Sequence, residues 1–400
     1  MAGLTGRRAL QRVWHRAGNV LSRRQGSGSG PNVPIPSAVI DLPAVLRHAA
    51  EQGASDLHIK VGSAPRARVN GDLRVTPFPV VRPEECEELV RVVLPPDRLE
   101  EFKSTGEADF SLSVSGLGRF RCNAFRQRGA SGLVLRRVLP SPLTASDLGL
   151  PPVVTRLAEE HRGLVLVTGP TGSGKTTTLA AMVDHINTER AANIITLEDP
   201  IEVLHRDKMS IISQREIGTD TRDWSQAMRR VLRQDPDVIL IGEMRDAETV
   251  QAGLSAGETG HLVLSSLHTT NATETINRII DFFPPFQQGQ VRISLASVLR
   301  GVVSQRLVPR SDGVGRVAAI EAMVMTGRIS DRILDPHGGT GESIEDVIAD
   351  GEYHGMITFD QSLFNLFKEG EISLRAALQA ATNPHDFRVA LQTAGLLPSI

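Results

Sequence analysis

The spacing of hydrophobic positions changes along the chain. Between Ser37 and Pro140, a helical stretch, DLPAVLRHAAEQGA, is followed by short segments in which apolar and polar residues alternate, such as LHIKV and RFRCNAF. A period of two is typical of strands with one buried face. The region is therefore predicted to be a small α+β domain.

From Gly163 the pattern becomes short apolar runs separated by helical stretches. The runs LVLVT, NIITLE, DVILI and HLVLSSL alternate with KTTTLAAMVDHINTE, WSQAMRRVLRQ and AETVQAGLSAG. Continuous apolar runs joined by helices predict a parallel sheet covered on both faces. After Thr326 the chain turns polar and helical. The predicted parts are an N-terminal domain, a linker, an α/β core and a C-terminal helical domain, at 37–140, 141–162, 163–325 and 326–400.

The first 36 residues are predicted to be a basic tail and linker. Residues 1–40 contain no Asp or Glu and carry six arginines before GSGSGPNVPIP. Leu10, Val13, Trp14, Ala17 and Leu21 follow helical spacing with arginines on the opposite face. A basic amphipathic helix would suit an anionic membrane surface. Because Gly18 weakens the helix, a disordered tail or an over-extended start is the favoured interpretation, and membrane contact is the alternative.

Composition argues against several classes of protein. The net charge of −2 and the aromatic content of 4% give little basis for binding nucleic acid. The two cysteines, Cys86 and Cys122, exclude a disulfide scaffold and a four-cysteine zinc site. No segment approaches the roughly 20 apolar residues of a membrane span, and the N-terminus lacks the apolar core of a secretory signal. We therefore expect a soluble protein, in the cytoplasm or peripheral to a membrane.

The loop after the first apolar run of the core carries a phosphate-binding pattern. GPTGSGKT matches G-x-x-x-x-G-K-[ST] between a predicted strand and a predicted helix. Its glycines let backbone N–H groups converge on phosphate oxygens at a helix N-terminus. Lys175 is expected to reach the β- and γ-phosphates of a nucleotide, and Thr176 to bind Mg²⁺. The predicted nucleotide-binding residues are Gly169, Pro170, Thr171, Gly172, Ser173, Gly174, Lys175, Thr176 and Thr177.

Two acidic clusters follow other predicted strands of the core. Glu243 ends DVILIGE and is better placed than Asp237, which precedes that strand, because ligands of such sheets bind at the carboxyl ends of the strands. TLEDPIE places Glu198, Asp199 and Glu202 after NIITLE. Three carboxylates so close would repel one another unless a cation or water lies among them. Both clusters are candidates for binding Mg²⁺ and orienting an attacking water.

Four motifs, in chain order, carry a family resemblance. GPTGSGKTTT, ITLEDPIEVLH, DPDVILIGEMRD and ETGHLVLSSLHTT, with ASDLHIKVGSAPRARVNGDLR before them, resemble the secretion and type IV pilus ATPase superfamily, most closely its pilus retraction branch. The resemblance implies a PAS-like α+β N-terminal domain, a RecA-like P-loop ATPase core and a small C-terminal helical region. It also implies a homohexamer that binds ATP and Mg²⁺.

The resemblance further implies roles for the acidic residues. Glu243 would be the Walker B acid and, with Thr176, would hold the metal. Glu202 would be the general base that orients water, with Glu198 as a less favoured candidate.

The histidines and arginines are assigned in the same way. His261 and His268 would sense the γ-phosphate, with structural and metal-binding roles as alternatives. Further candidates for contact with phosphate are Arg233, Arg229 and Arg230 of the core, and Arg121, Arg126 and Arg136 of the N-terminal domain. For each of these arginines, a surface or interface charge is the alternative.

The implied function is ATP hydrolysis that drives type IV pilus retraction, with an inner-membrane pilus platform protein as partner. The chain would work at the inner face of the cytoplasmic membrane. It lacks the four-cysteine module of the assembly branch, but TGRISDRILDP matches the C-terminal helix of the retraction branch poorly. Pilus assembly and type II or IV secretion are therefore the alternatives. A nucleic-acid translocase and a nucleotide-binding regulator without turnover are more distant ones.

Overall fold

The computed structural model describes residues 40–69, 71–139, 141–336 and 341–397, and divides into two compact units after Pro140. The basic tail and its predicted amphipathic helix lie outside the described residues. No helix within the described ranges is long and apolar enough to cross a membrane.

The first unit is a six-stranded antiparallel sheet with three helices packed on one face. The strand order is β3-β2-β1-β6-β5-β4. Alternate residues of each strand, such as Phe120, Cys122 and Ala124, are buried beneath the helices, as the period of two predicts. The strands are β1 (Asp56–Lys60), β2 (Arg66–Val69), β3 (Asp72–Val75), β4 (Glu107–Val114), β5 (Gly118–Gln127) and β6 (Ala130–Arg137). The helices are α1 (Leu42–Glu51), α2 (Pro83–Val93) and α3 (Pro96–Thr105).

The second unit is built on a seven-stranded sheet of order β13-β12-β7-β11-β10-β8-β9. All neighbouring pairs are parallel except β12 with β13. The strands are β7 (Gly163–Thr168), β8 (Asn193–Glu198), β9 (Ile211–Glu216), β10 (Val238–Ile241), β11 (Leu262–Leu267), β12 (Leu299–Pro309) and β13 (Arg316–Val324). The pair β12 and β13, together with β9, extends the sheet beyond the strands that the pattern predicts.

Helices cover both faces of this sheet. Leu164 and Leu166 of β7 face one apolar cluster, and Val165 and Val167 face the other. The helices are α4 (Pro152–Ala158), α5 (Lys175–Glu189), α6 (Trp224–Val231), α7 (Ala247–Glu258), α8 (Ala272–Asp281) and α9 (Pro285–Val298). Helix α4 lies inside the segment predicted as a linker. It is ordered there because Val154 and its apolar neighbours are buried against the core.

The chain after Thr326 is helical, in line with its pattern, and packs within the second unit. Its helices are α10 (Gly327–Leu334), α11 (Ile344–Ala349), α12 (Phe359–Lys368), α13 (Leu374–Ala380) and α14 (Pro384–Thr393), with a 3₁₀ turn at Glu352–His354. Phe359 and Leu363 of α12 pack with Val308 of β12 and Ala319 of β13 in one apolar cluster. The last helices therefore cover the end of the β12–β13 pair.

Candidate functional site

The predicted site residues follow strands that end at one edge of the seven-stranded sheet. Strands β7, β8, β10 and β11 are parallel and in register, so their carboxyl ends meet there. We call this the phosphate edge. The loop 169–174 follows β7, Glu202 lies in the segment after β8, Glu243 follows β10, and His268 follows β11. The fold therefore brings together residues from four separate motifs.

The loop 169–174 is held open by glycines and supported from β12. Gly169 and Gly174 have φ angles of 144° and 94°, which disfavour other residues. A Cβ atom at Gly169 would also lie 2.4 Å from the carbonyl oxygen of Gln305. The buried Gln305 side chain donates from Nε2 to the Ser173 carbonyl at 2.6 Å. The loop therefore rests on β12, a support that the sequence pattern did not reveal.

A chain of polar contacts joins the phosphate loop to the end of β10. Lys175 Nζ donates to the carbonyl oxygens of Gly169 (2.8 Å) and Pro170 (3.1 Å), and lies 3.3 Å from His268 Nδ1. His268 Nε2 lies 3.1 Å from Glu243 Oε1. Because an ammonium group only donates, His268 accepts at Nδ1 and donates from Nε2 to the carboxylate, which assigns the neutral tautomer. His268 thus connects Lys175 to Glu243.

The two candidate carboxylates also affect the pKa of Lys175. Burial lowers the pKa of Lys175, while the negative charges of Glu243 and Glu202 act in the opposite direction. Both carboxylates are therefore close enough to interact with the ammonium group. This places Glu202 at the same site as Glu243, although they come from motifs far apart in sequence.

The acidic cluster after β8 contains two different kinds of carboxylate. Glu198 is buried and accepts hydrogen bonds from Thr196 Oγ1 (2.7 Å) and Gln214 Nε2 (3.1 Å). Burial raises its pKa. Glu202 is exposed. Glu198 therefore makes internal hydrogen bonds, whereas Glu202 and Asp199 are both exposed to solvent.

Arg245 was not singled out from the sequence, and it contacts the site directly. Its guanidinium group lies 2.8 Å from Glu243 Oε2, and this hydrogen bond raises the pKa of Arg245. Beside this pair is a cleft of about 340 Å³, lined also by His268 and Arg278. The MRD tripeptide after Glu243 is the signal that could have identified Arg245.

His261 does not lie with His268. Strand β11 spans Leu262–Leu267 between them, about 20 Å at 3.3 Å per residue. The carbonyl oxygen of His261 accepts from the Gly163 N–H at the start of β7, and its ring Nδ1 lies 3.0 Å from the Ala256 carbonyl oxygen in α7. The structure therefore places His261 at the edge of the sheet opposite the phosphate loop of its own chain. There its ring contacts a backbone carbonyl group near the C-terminal end of α7.

Arg233 also lies at the opposite edge. The next residues, Gln234 and Asp235, accept hydrogen bonds through their carbonyl oxygens from Asn193 Nδ2 at the start of β8, each at 2.8 Å. The helix α6 begins near the phosphate edge, where Trp224 is close to Gly242, and carries the chain away from it. In its own chain, Arg233 is therefore not among the groups around the loop.

Three of the other candidate arginines have partners outside the phosphate loop, and two are exposed. Arg229 donates to Ser225 Oγ at 2.6 Å, and Arg230 is exposed on the same helix. In the first unit, Arg136 pairs with Asp56 at 2.7 Å and Arg126 with Glu87 at 3.2 Å, while Arg121 is exposed on β5. Whether any of them contacts phosphate stays a prediction.

The donor set at the phosphate edge suits a magnesium nucleotide. Thr176 supplies a hydroxyl group at the start of α5, and Glu243 supplies carboxylate oxygens. Mg²⁺ prefers one or two such protein oxygens together with water and phosphate. Among the described residues, no three His, Cys, Asp or Glu side chains are grouped so that they could hold a metal by themselves.

Comparison with known proteins agrees with this architecture. Residues 36–340 match the family described as "Type II/IV secretion system protein". The chain is 43% identical to the "Type IV pilus retractation ATPase PilT" of Pseudomonas aeruginosa, over 87% of this chain and 100% of the relative. It is 42% identical to the "Twitching motility protein" of Neisseria gonorrhoeae, over 80% and 84%.

A solved structure extends the agreement to three dimensions. The crystal structure of the pilus retraction motor PilT with bound ADP superposes with a TM-score of 0.80 at 42% identity, covering 87% of this chain and 98% of that one. The fold class predicted from the sequence is confirmed: an α+β N-terminal domain precedes a P-loop ATPase core. The chain belongs to the type II/IV secretion system protein family, and within it to the PilT-like ATPases.

Proposed function

We propose that this chain is the ATP-hydrolysing motor of type IV pilus retraction. The observation that carries the proposal is the meeting of Lys175, His268, Glu243 and Glu202 at the mouth of the phosphate loop. The names of its relatives, a pilus retraction ATPase and a twitching motility protein, support the direction of the motor.

In the proposed reaction, Glu202 acts as the general base. Its carboxylate accepts a proton from the water whose oxygen attacks the γ-phosphorus of ATP. The bond from that phosphorus to the β–γ bridging oxygen breaks, and ADP and phosphate leave. Glu202 suits this role because its carboxylate is exposed, whereas Glu198 is buried in hydrogen bonds.

Lys175 stabilises the charge that develops on the phosphate oxygens. Its ammonium group exchanges the carbonyl oxygens of Gly169 and Pro170 for phosphate oxygens when ATP binds. Mg²⁺, held through Thr176 and Glu243, would supply further positive charge there. Loss of the γ-phosphate returns Lys175 to His268, so His268 reports the state of the nucleotide to the end of β11.

We propose that six copies form a ring that acts on a platform protein in the inner membrane. Head-to-tail interfaces close into rings when their rotation is compatible, and the relatives supply the precedent for a motor of this kind. The arginine-rich segment before residue 36 would hold the ring at the cytoplasmic face of the membrane through anionic lipids.

The direction of the motor is tested by counting surface pili in cells of the source organism that carry Lys175→Ala. We expect more pili than in wild-type cells, because a motor that cannot bind phosphate cannot retract them. Purified Lys175→Ala protein should also lose ATPase activity by about 100-fold or more. Loss of pili would assign the motor to assembly instead, and unchanged piliation would separate it from pili.

A further inference from the structure

The connection between β8 and β9, residues 199–210, contains no helix. Parallel strands are usually joined through a helix, which pairs its own backbone groups. A connection without a helix must pair its N–H and C=O groups in another way, because unpaired buried groups are costly. This connection carries Glu202, so its partners decide where the proposed general base lies.

Side chains of β8 and β9 supply some of those partners. The register pairs Thr196 with Gln214 and Glu198 with Glu216, so all four side chains leave one face of the sheet. The buried Glu216 accepts the Ile201 N–H at 3.1 Å through Oε2. The backbone N–H of Glu202 favours the charged form of Glu198 and so opposes the rise in its pKa. The backbone at Ile201 is therefore fixed by a side chain of β9, and the next residue, Glu202, lies beside the Glu198 carboxylate.

Gln214 fixes the residues that follow. Its Oε1 accepts the His205 N–H at 2.9 Å, and its Nε2 donates to the Val203 carbonyl oxygen at 2.9 Å. The same Nε2 donates to Glu198 Oε1 at 3.1 Å. A single side chain thus holds the connection just after Glu202 and also binds Glu198, the carboxylate beside the Glu202 N–H. Only an amide both accepts and donates in this way.

We propose that Gln214 is a positioning residue for hydrolysis: it places the Glu202 carboxylate by clamping the backbone beside it. This inference rests on the proposed role of Glu202 as the general base. A displacement of about 1 Å at a reacting group can lower the rate about 100-fold. A connection that lacks its own helix or strand ladder depends on such clamps to stay in one position.

The test is Gln214→Leu, which keeps the approximate volume of the side chain and removes all three hydrogen bonds. We expect kcat for ATP to fall by about 10- to 100-fold. The KM for ATP and the affinity for a fluorescent ATP analogue should stay at wild-type values, because the phosphate loop rests on β12 and not on β9.

Gln361→Leu is the matched control. Gln361 also accepts one backbone N–H, from Thr358 at 2.9 Å, and donates to one carbonyl oxygen, of Ala349 at 3.1 Å. Both partners lie among the C-terminal helices and belong neither to the phosphate loop nor to the connection 199–210. Its loss should leave kcat unchanged.

A double substitution separates positioning from general damage. If Gln214 acts through Glu202, adding Gln214→Leu to Glu202→Gln should not lower the residual turnover further. Damage to the fold would lower it further and weaken nucleotide binding. Either of those results would overturn the proposal.

The two proposals fail in distinguishable ways. Wild-type turnover in Glu202→Gln would overturn the role of Glu202 as base. An inactive Glu202→Gln protein together with wild-type kcat in Gln214→Leu would overturn only the positioning role. If Gln214→Leu does not fold, Gln214→Glu replaces it, since it keeps the acceptor for His205 but cannot donate to Val203 or Glu198. It should show the same loss of kcat, and wild-type kcat there would overturn the proposal.

Discussion

The two edges of the seven-stranded sheet carry similar residues in different surroundings. Strand β11 has a histidine at each end, but His268 bridges Lys175 and Glu243, whereas His261 contacts the carbonyl oxygen of Ala256 in α7. The two histidines belong to one short sequence motif and yet lie roughly 23 Å apart along an extended strand. Closeness in sequence along an extended strand therefore does not place residues in one site.

The surroundings of the ionisable groups also differ between the two edges. At the phosphate edge, burial lowers the pKa of Lys175 and raises the pKa of Glu198. At the opposite edge, Asp237 and Asn193 form ordinary hydrogen bonds, with Asp237 Oδ2 accepting the Asn193 N–H at 2.7 Å. Groups held against their preferred ionisation are typical of functional sites. The phosphate edge thus combines its motifs with two groups whose charged forms are disfavoured by burial.

Among substitutions at either edge, Glu202→Gln at the phosphate edge should cause the largest loss of ATP turnover. Removing a general base lowers turnover by about 10²- to 10⁴-fold. ATP binding should persist, because Lys175 and the loop are intact. Steady-state turnover and binding of a fluorescent ATP analogue, measured on the same preparation, check both parts. Equal losses of turnover and binding would instead show that Glu202 supports the loop.

A pair of substitutions tests the two histidines directly. His268→Ala removes a hydrogen bond to a charged partner, and we expect kcat to fall about 10- to 100-fold. His261→Ala should leave kcat unchanged and lower the free energy of unfolding by about 1 kcal/mol, the value of one hydrogen bond. Similar losses of kcat in both variants would mean that His261 does act at a phosphate site, for example the phosphate site of a neighbouring subunit.

Another buried acid at the phosphate edge should affect stability rather than turnover. Glu321 of β13 accepts the Ala272 N–H at 2.7 Å, and burial raises its pKa to about 7. Because this pKa exceeds that of the unfolded chain, stability present below about pH 4.5 is lost as the pH rises through 7. Glu321→Gln should remove that loss, which is about 3 kcal/mol at most.

Urea unfolding between about pH 5 and pH 8 measures this effect. Wild-type protein should lose more stability than Glu321→Gln over that range. Parallel pH dependences for the two proteins would show that Glu321 ionises as readily in the folded protein as in the unfolded chain.

Some site residues can be located from the sequence because their position follows from a local motif and the direction of the preceding strand. The loop 169–174 and Glu243 follow apolar runs, and the carboxyl ends of parallel strands must meet. The same logic placed Glu202 beside them. Local motif and strand direction were sufficient for these positions.

The residues that sequence reasoning missed come from distant strands. Gln305 supports the phosphate loop from β12, and Gln214 holds the Glu202 segment from β9. Their roles depend on which strands are neighbours, a property that no local pattern carries. Arg233 was assigned to the site by the family resemblance, but in its own chain it follows the far end of α6, which begins near the phosphate edge.

The strand order has a consequence for how such motors differ in speed. The phosphate loop rests on β12 and the Glu202 segment on β9, and β7, β11, β10 and β8 lie between these two supports. If Gln214 places Glu202 as proposed, substitutions on β9 should alter the rate of hydrolysis and leave ATP binding unchanged, and substitutions on β12 should do the reverse. Two homologous motors with identical P-loops can therefore run at different rates at the same cellular ATP concentration.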